Sequence, residues 1–225
     1  MRLPKRGSLF REVPIIVISA LVVSILVKTF LIHFFFIPSG SMENTLKIGD
    51  RIAVNKLANF FTDIKRGEVV VFKDPANWLG QAPGETGSKP VVAIKNALVT
   101  VGILPDPAKQ YLIKRVVGVG GDTVICCDAK GRLTVNGTPI NEPYIFTGNK
   151  PSDSTFKVIV PKGFIWVMGD HRGASADSRF HTDDIHKGMV PLPDVVGRAF
   201  VTVWPLNHLT FLSVGHDLSK VAVKK

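Results

Sequence analysis

Cysteine is nearly missing from this chain. Two residues in 225, Cys126 and Cys127, exclude a small domain stapled by many disulfides. Acidic residues are also sparse, 18 against 28 basic ones, which leaves a formal net charge of +10. That balance favours anionic partners, phospholipid or nucleic acid, without choosing between them. No unit recurs at the roughly 20 to 50 residue period of a solenoid. Long amphipathic helices are wanting too, apart from a possible short one around Val91 to Val101. What is plentiful is apolar: 45% of residues are hydrophobic, 14 of them Phe, which excludes a disordered polymer. The length supports one or two domains with a real core. A mean hydropathy of +0.23 is high for a soluble domain and directs attention to a membrane segment.

One segment has the required character. Pro14 to Val27 carries no charge, and after Lys28 apolarity resumes through Phe30, Leu31, Ile32, Phe34, Phe35, Phe36 and Ile37. Pro14 to Phe34 is 21 residues, about 31 Å as a helix, which matches a bilayer core. Pro14 suits a first helical turn, and Lys28 can extend its amine toward the far headgroups. Arg2, Lys5, Arg6 and Arg11 precede the span and place the amino terminus in the cytoplasm. The expected division is a cytoplasmic basic stretch over 1–12, a transmembrane helix over 13–36 and an extracytoplasmic β domain over 37–225. A cleaved export signal has similar parts, with Ser39-Gly40-Ser41 imitating a cleavage site, but its apolar core is usually shorter. A buried core helix fits less well, since only Ser19 and Ser24 are polar within Pro14 to Val27.

Beyond the anchor the pattern changes to short runs of strand character separated by turns. Strands are expected at Arg51 to Leu57, Glu68 to Phe72, Leu112 to Val119, Thr123 to Cys126, Leu133 to Val135, Phe156 to Val160, Phe164 to Met168 and Val196 to Trp204. Asn136-Gly137 and Gly120-Gly121-Asp122 mark tight turns. The fold class is mainly β: an antiparallel sheet or partly open barrel behind one amino-terminal helix. An insertion over 74–110, rich in Pro, Gly and Ala, either packs on the barrel or touches lipid. Phe200 to Phe211 is too short to span and reads as a final strand and tail.

Three segments offer chemistry. Ile37-Pro38-Ser39-Gly40-Ser41-Met42 sets a serine beside Gly after a Pro-fixed turn; a polar loop leaving the membrane is the plainer account. In Tyr111 to Val119, Lys114-Arg115 interrupts an apolar run, and strand alternation sends the two cations to opposite faces. A lysine aimed into apolar surroundings loses hydration, which favours its neutral form. To serve as a base near neutral pH its pKa must fall from about 10.4 to roughly 7 or 8. An amine that snorkels from a strand edge is the plainer alternative. The third segment, Met168-Gly169-Asp170-His171-Arg172-Gly173-Ala174-Ser175-Ala176-Asp177-Ser178-Arg179, is dense in hydrogen-bonding groups that can brace a site.

Together these segments, with Arg66-Gly67-Glu68-Val69-Val70-Val71-Phe72 and the stretch Phe35 to Asp50, resemble the bacterial type I signal peptidases, membrane-anchored serine proteases with a Ser–Lys dyad. The blocks fall in that family's order and cover much of the chain behind the anchor. The resemblance implies Ser41 as nucleophile and Lys114 as general base. It implies Ser39 as a donor that helps the Ser41 N–H hold the oxyanion, and Ser175 as the hydroxyl that orients the lysine amine. Asp170 with Arg115, and Asp177 with Arg179, become supporting ion pairs. Ile37, Met42, Leu46 and Ile113 become the lining of shallow pockets for small substrate side chains. The implied substrates are signal-peptide-bearing preproteins cut after small-X-small motifs at the outer face of the cytoplasmic membrane, with no cofactor and no nucleic acid. The chain departs from the family at Asn44, where Pro is frequent, at His171, where Asn is frequent, and at Gly173-Ala174, which some members replace by Asp-Asn.

Other readings remain open at this level. His171, His181 and His186 with Asp177, Asp183 and Asp184 form a His/Asp-rich tract that could ligate a metal, although its spacing suits a solvated loop better. The dyad chemistry needs no histidine, so replacing all three is expected to leave most activity. Cys126 and Cys127, adjacent in a strand, are expected to point to opposite faces; an oxidised pair is a strained alternative. Two rival functions are a non-catalytic anchored barrel that binds headgroups or a partner, and a repressor-like self-cleaving Ser–Lys protein with a DNA-binding module.

Overall fold

The computed structural model describes residues 12–21, 32–80 and 110–221. Their architecture is two antiparallel sheets. The larger contains β1 (Ile32–Phe36), β2 (Arg51–Asn55), β3 (Val69–Lys73), β4 (Tyr111–Val119), β9 (Phe164–Met168), β10 (Val190–Pro191), β11 (Val195–Trp204) and β12 (Thr210–Phe211). It runs in the order β1-β2-β11-β3-β4-β9-β10, with β12 on β11. The smaller holds β5 (Thr123–Cys126), β6 (Thr134–Val135), β7 (Thr138–Pro139) and β8 (Phe156–Ile159), in the order β7-β6-β5-β8. All eight expected strands are present, two with the expected bounds and the others within two residues of them. Asn136 at φ 53° and Gly137 at φ 81° make the two-residue turn between β6 and β7.

Of the expected antiparallel sheet or partly open barrel, the sheet is what forms: among the described residues β1 and β10 end the larger one and no barrel closes. The expected helix over 13–36 is corrected. Residues 12–21 are helical and exposed, but Ile32–Phe36 is a strand whose partners run from Ile32↔Asn55 to Phe36↔Arg51. Aromatic residues suit a pleated surface as well as they suit lipid, and β2 satisfies the backbone groups of β1. Among the described residues no helix is long and apolar enough to cross a membrane. The rest of the expected span, 22–31, lies outside the described residues, as do most of the 74–110 insertion and the possible helix at 91–101. The start of the insertion packs on the domain: Trp78 is buried in a cluster with Val70, Phe72, Val116 and Val167, edge-on to Phe72. The cysteines do not diverge as expected, because Cys126 and Cys127 are joined by a disulfide.

Three apolar clusters hold the sheets. One joins the two sheets through Val117, Val124, Leu133, Trp166 and Met168. Another, containing Ile37, Met42, Leu46, Ile52 and Val54, seats the segment after β1 on the larger sheet. Full burial of side chains of this size contributes about 1.5–3 kcal/mol each. That burial therefore fixes where the Gly40–Met42 turn lies.

Candidate active site

β4 is an interior strand, paired with β3 through Val70↔Lys114 and with β9 through Arg115↔Met168. It therefore has no free edge from which Lys114 could snorkel. Lys114 is 4% exposed and Arg115 fully buried. Alternation sends them apart, and each meets a different part of the chain.

Lys114 meets the turn that follows β1. Gly40–Met42 is a single 3₁₀ turn, preceded by Ser39 in extended conformation and closed by Glu43 N–H to Gly40 O at 3.0 Å. Ser41 within it is 7% exposed, and its Oγ lies 2.6 Å from Lys114 Nζ. Burial pulls the Lys114 pKa down to about 8, against the upward pull of Asp177 and Asp170 and with a small downward push from Arg179. An amine that sheds its proton near pH 8, in contact with a hydroxyl, can accept that hydroxyl's proton.

Arg115 meets the loop that continues β9. Because Arg115 faces Met168, Asp170 falls two residues beyond the register and accepts from Arg115 Nε at 2.8 Å and Nη2 at 2.6 Å. Neither side chain is exposed. Nη1 donates to the carbonyls of Gly67 at 2.7 Å and Ser213 at 3.0 Å, Nη2 also donates to Thr45 Oγ1 at 3.3 Å, and the group lies 4.2 Å over the Tyr144 ring. The second expected pair is present too: Asp177 takes Arg179 Nε at 2.8 Å and the N–H of Gly169 at 2.9 Å. Both pairs thus tie the loop after β9 into position beside Ser41.

The remaining expected residues divide. Ser175 is buried near the site, but its Oγ has no hydrogen-bond partner, so the expected bond to Lys114 is not made. Ser39 is exposed and makes no side-chain cap bond. Ile37, Met42 and Leu46 gather in one cluster with Ile113 at its margin, yet at 2%, 0% and 0% exposure the first three are core rather than open pocket walls. Their positions follow the demand for apolar burial, which a sequence pattern alone does not separate from a binding surface. The histidines form no metal site: among the described residues no group of three or more His, Cys, Asp or Glu could hold an ion. His181 stacks on Trp78, and His171 pairs with Glu43.

Several supporting residues were not foreseen. Thr45 donates to Asp170 through its hydroxyl. Arg172 and Glu142 form a buried pair, as do Arg66 and Asp122. Gly169 is required by space: a Cβ there would stand 2.3 Å from Ser175 Oγ and 2.4 Å from Ser41 O. Only the glycine-containing block Met168 to Arg179 hinted at this closeness.

An interior-strand lysine touching a turn serine, braced by buried ion pairs, defines a candidate serine-hydrolase centre on a β scaffold. Comparison with known proteins agrees in class and narrows it. The family model described as "Signal peptidase, peptidase S26" matches residues 10–204. Signal peptidase I of Mycobacterium tuberculosis H37Rv is 39% identical over 222 residues, covering 90% of this chain and 75% of that protein. A probable signal peptidase I of Mycobacterium leprae is 38% identical, covering 90% and 78%, and signal peptidase I of Leptolyngbya laminosa is 32% identical, covering 84% and 77%. The chain belongs to the signal peptidase family, peptidase S26, and is a serine peptidase, a type I signal peptidase. The non-catalytic barrel and the repressor-like protein are thereby set aside.

Proposed function

We infer that this chain removes amino-terminal signal peptides from exported preproteins, with Ser41 as nucleophile and Lys114 as general base. The contact of 2.6 Å between Lys114 Nζ and Ser41 Oγ, inside a site that lowers the lysine pKa, is the observation that supports this most directly. Neutral Lys114 takes the Ser41 proton as the oxygen attacks the scissile carbonyl. The negative charge that develops there is held by the Ser41 N–H and the Ser39 hydroxyl, each such donor being worth about 3–4 kcal/mol. Protonated Lys114 then gives its proton to the departing amine, and water hydrolyses the acyl-enzyme. The Ser175 hydroxyl, buried with no partner, is free to accept from the ammonium while it is charged.

Substrate preference for small-X-small follows from the same reading, with Ile113, partly buried at the margin of the Ile37–Met42–Leu46 cluster, as the contact for a small side chain. An amino-terminal membrane anchor ahead of β1, which begins at Ile32, belongs to the same reading. The amino terminus is cytoplasmic and the β domain lies at the outer face, so a membrane-tethered precursor meets Ser41 at high effective concentration.

The test is cleavage of a precursor with a small-X-small site by Ser41→Ala and Lys114→Met variants in lipid or detergent. Each is expected to lose at least about 10³-fold in kcat with no fall in its melting temperature. Cleavage at the wild-type rate by either folded variant would overturn the assignment.

A further inference from the structure

Lys114 is fixed by an interior strand, whereas Ser41 sits in a three-residue turn, and 3₁₀ turns have weak hydrogen-bond geometry of their own. Burial of Met42 and Leu46 seats this segment on the sheet without directional bonds, so polar contacts are needed as well to keep the turn oriented toward β4. The backbone contact that reaches Ser41 from across the site comes from His171, whose N–H donates to Ser41 O at 3.1 Å. The His171 ring is itself doubly held. Nδ1 lies 2.9 Å from Glu43 Oε2, and since a carboxylate only accepts, Nδ1 carries the proton. The ring also stacks on Phe146, with centroids 4.1 Å apart and planes 14° from parallel. Phe146 in turn donates its N–H to Asp170 O at 2.9 Å.

Glu43 closes the loop from the other side. Its carboxylate folds back over the start of the turn: a Cβ on Gly40 would stand 2.9 Å from Glu43 Cδ and about as near both oxygens. One side chain therefore touches Gly40, before the serine, and His171, which holds the serine's carbonyl. The next residue anchors the same segment, with Asn44 Nδ2 donating to the carbonyls of Tyr144 at 3.1 Å and Ile145 at 3.2 Å. Asn44 has φ 83°, a conformation closed to the proline frequent there in relatives. Two of the three departures noted in the sequence, Asn44 and His171, thus fall in one structural unit.

We propose that Glu43 and His171 are positioning residues, a latch that keeps the Ser41 turn against the loop after β9 so that Oγ stays within reach of Lys114. The proposal rests on the assignment of Ser41 and Lys114. It also changes one expectation: His181 and His186 are dispensable, His171 is not. Misplacement of a reacting group by about 1 Å can cost 10²-fold, and a loosened turn falls short of that.

The experiment measures kcat and KM for precursor cleavage, and melting temperature, in Glu43→Ala, Glu43→Gln, His171→Phe, His171→Asn and the Glu43→Ala/His171→Phe double variant. Ser41→Ala serves as reference. His171→Phe keeps the stack on Phe146 and removes the donor; His171→Asn offers a donor close to the Nδ1 position. Glu43→Ala and His171→Phe are each expected to lower kcat about tenfold, with KM within about twofold and an unchanged melting temperature. The double variant should be no worse than either single one, because both break the same contact. Glu43→Gln and His171→Asn should regain most of the loss. Wild-type kcat in Glu43→Ala and His171→Phe, losses that multiply in the double variant, or losses that track melting temperature would each overturn the latch. If Ser41→Ala is inactive while those variants are unimpaired, the latch alone fails; if Ser41→Ala still cleaves, the site assignment fails with it.

Discussion

Lys114 and Arg115 are neighbours on β4, both cationic, both taken out of water, and their fates are opposite. Burial acts to discharge each. Around Arg115 it is outweighed by Asp170, which contributes charge and two hydrogen bonds and raises the pKa. Around Lys114 burial prevails, because Asp177 and Asp170 act on it only through space and its hydrogen bond goes to the uncharged hydroxyl of Ser41. One face of the strand is satisfied and the other is left in deficit. A buried cation with full partners serves rigidity; one with too few becomes a base.

The contrast can be broken first at Arg115. Asp170→Ala strands a fully buried guanidinium and should cost about 3–5 kcal/mol of stability, read from denaturant unfolding. A loss under about 1 kcal/mol would mean that the pair is not what braces the loop. The next effect belongs to Lys114. Its folded pKa of about 8 lies below the unfolded 10.5, so the folded state binds the proton less well. The penalty is fully present below pH 8 and vanishes above 10.5, so stability should rise with pH across that window by about 3 kcal/mol from this group, at 1.36 kcal/mol per pH unit. Lys114→Met should abolish the rise and be the more stable protein at pH 7 although inactive. Cleavage by the wild type should increase about tenfold per pH unit and level off above about 8, following the neutral amine.

Arg115→Lys sharpens the comparison by keeping charge and removing the planar fork that serves Asp170, Gly67 O and Ser213 O at once. A loss of about 2 kcal/mol is expected from the unmade bonds. The smallest structural effect should come from Ser175→Ala. Its hydroxyl bonds nothing in the folded protein, so stability should stay within about 0.5 kcal/mol while cleavage falls. Unchanged cleavage would remove Ser175 from the mechanism.

The strands were legible because their apolar alternation and the Gly and Asn turn signals are local, and β5 and β9 have the expected bounds. β1 was not legible. Its Phe34, Phe35 and Phe36 read as the continuation of the apolar run before it, and only pairing with β2 shows that the backbone there is extended. The burial of Ile37, Met42 and Leu46 was not legible for a related reason, since an apolar residue near a nucleophile reads alike whether it faces substrate or core. Gly169 and Thr45 were silent, being defined by what approaches them from elsewhere.

Sequence alone determined the β character of the domain, the two cations on opposite faces of one strand and the serine-bearing turn, since each rests on short-range periodicity and backbone preference. Tertiary structure decided which cation would be neutralised by a carboxylate and which left to a hydroxyl. It did so because desolvation and charge pairing are sums over neighbours that the chain brings together from more than 70 residues away, as Ser41 and Lys114 are.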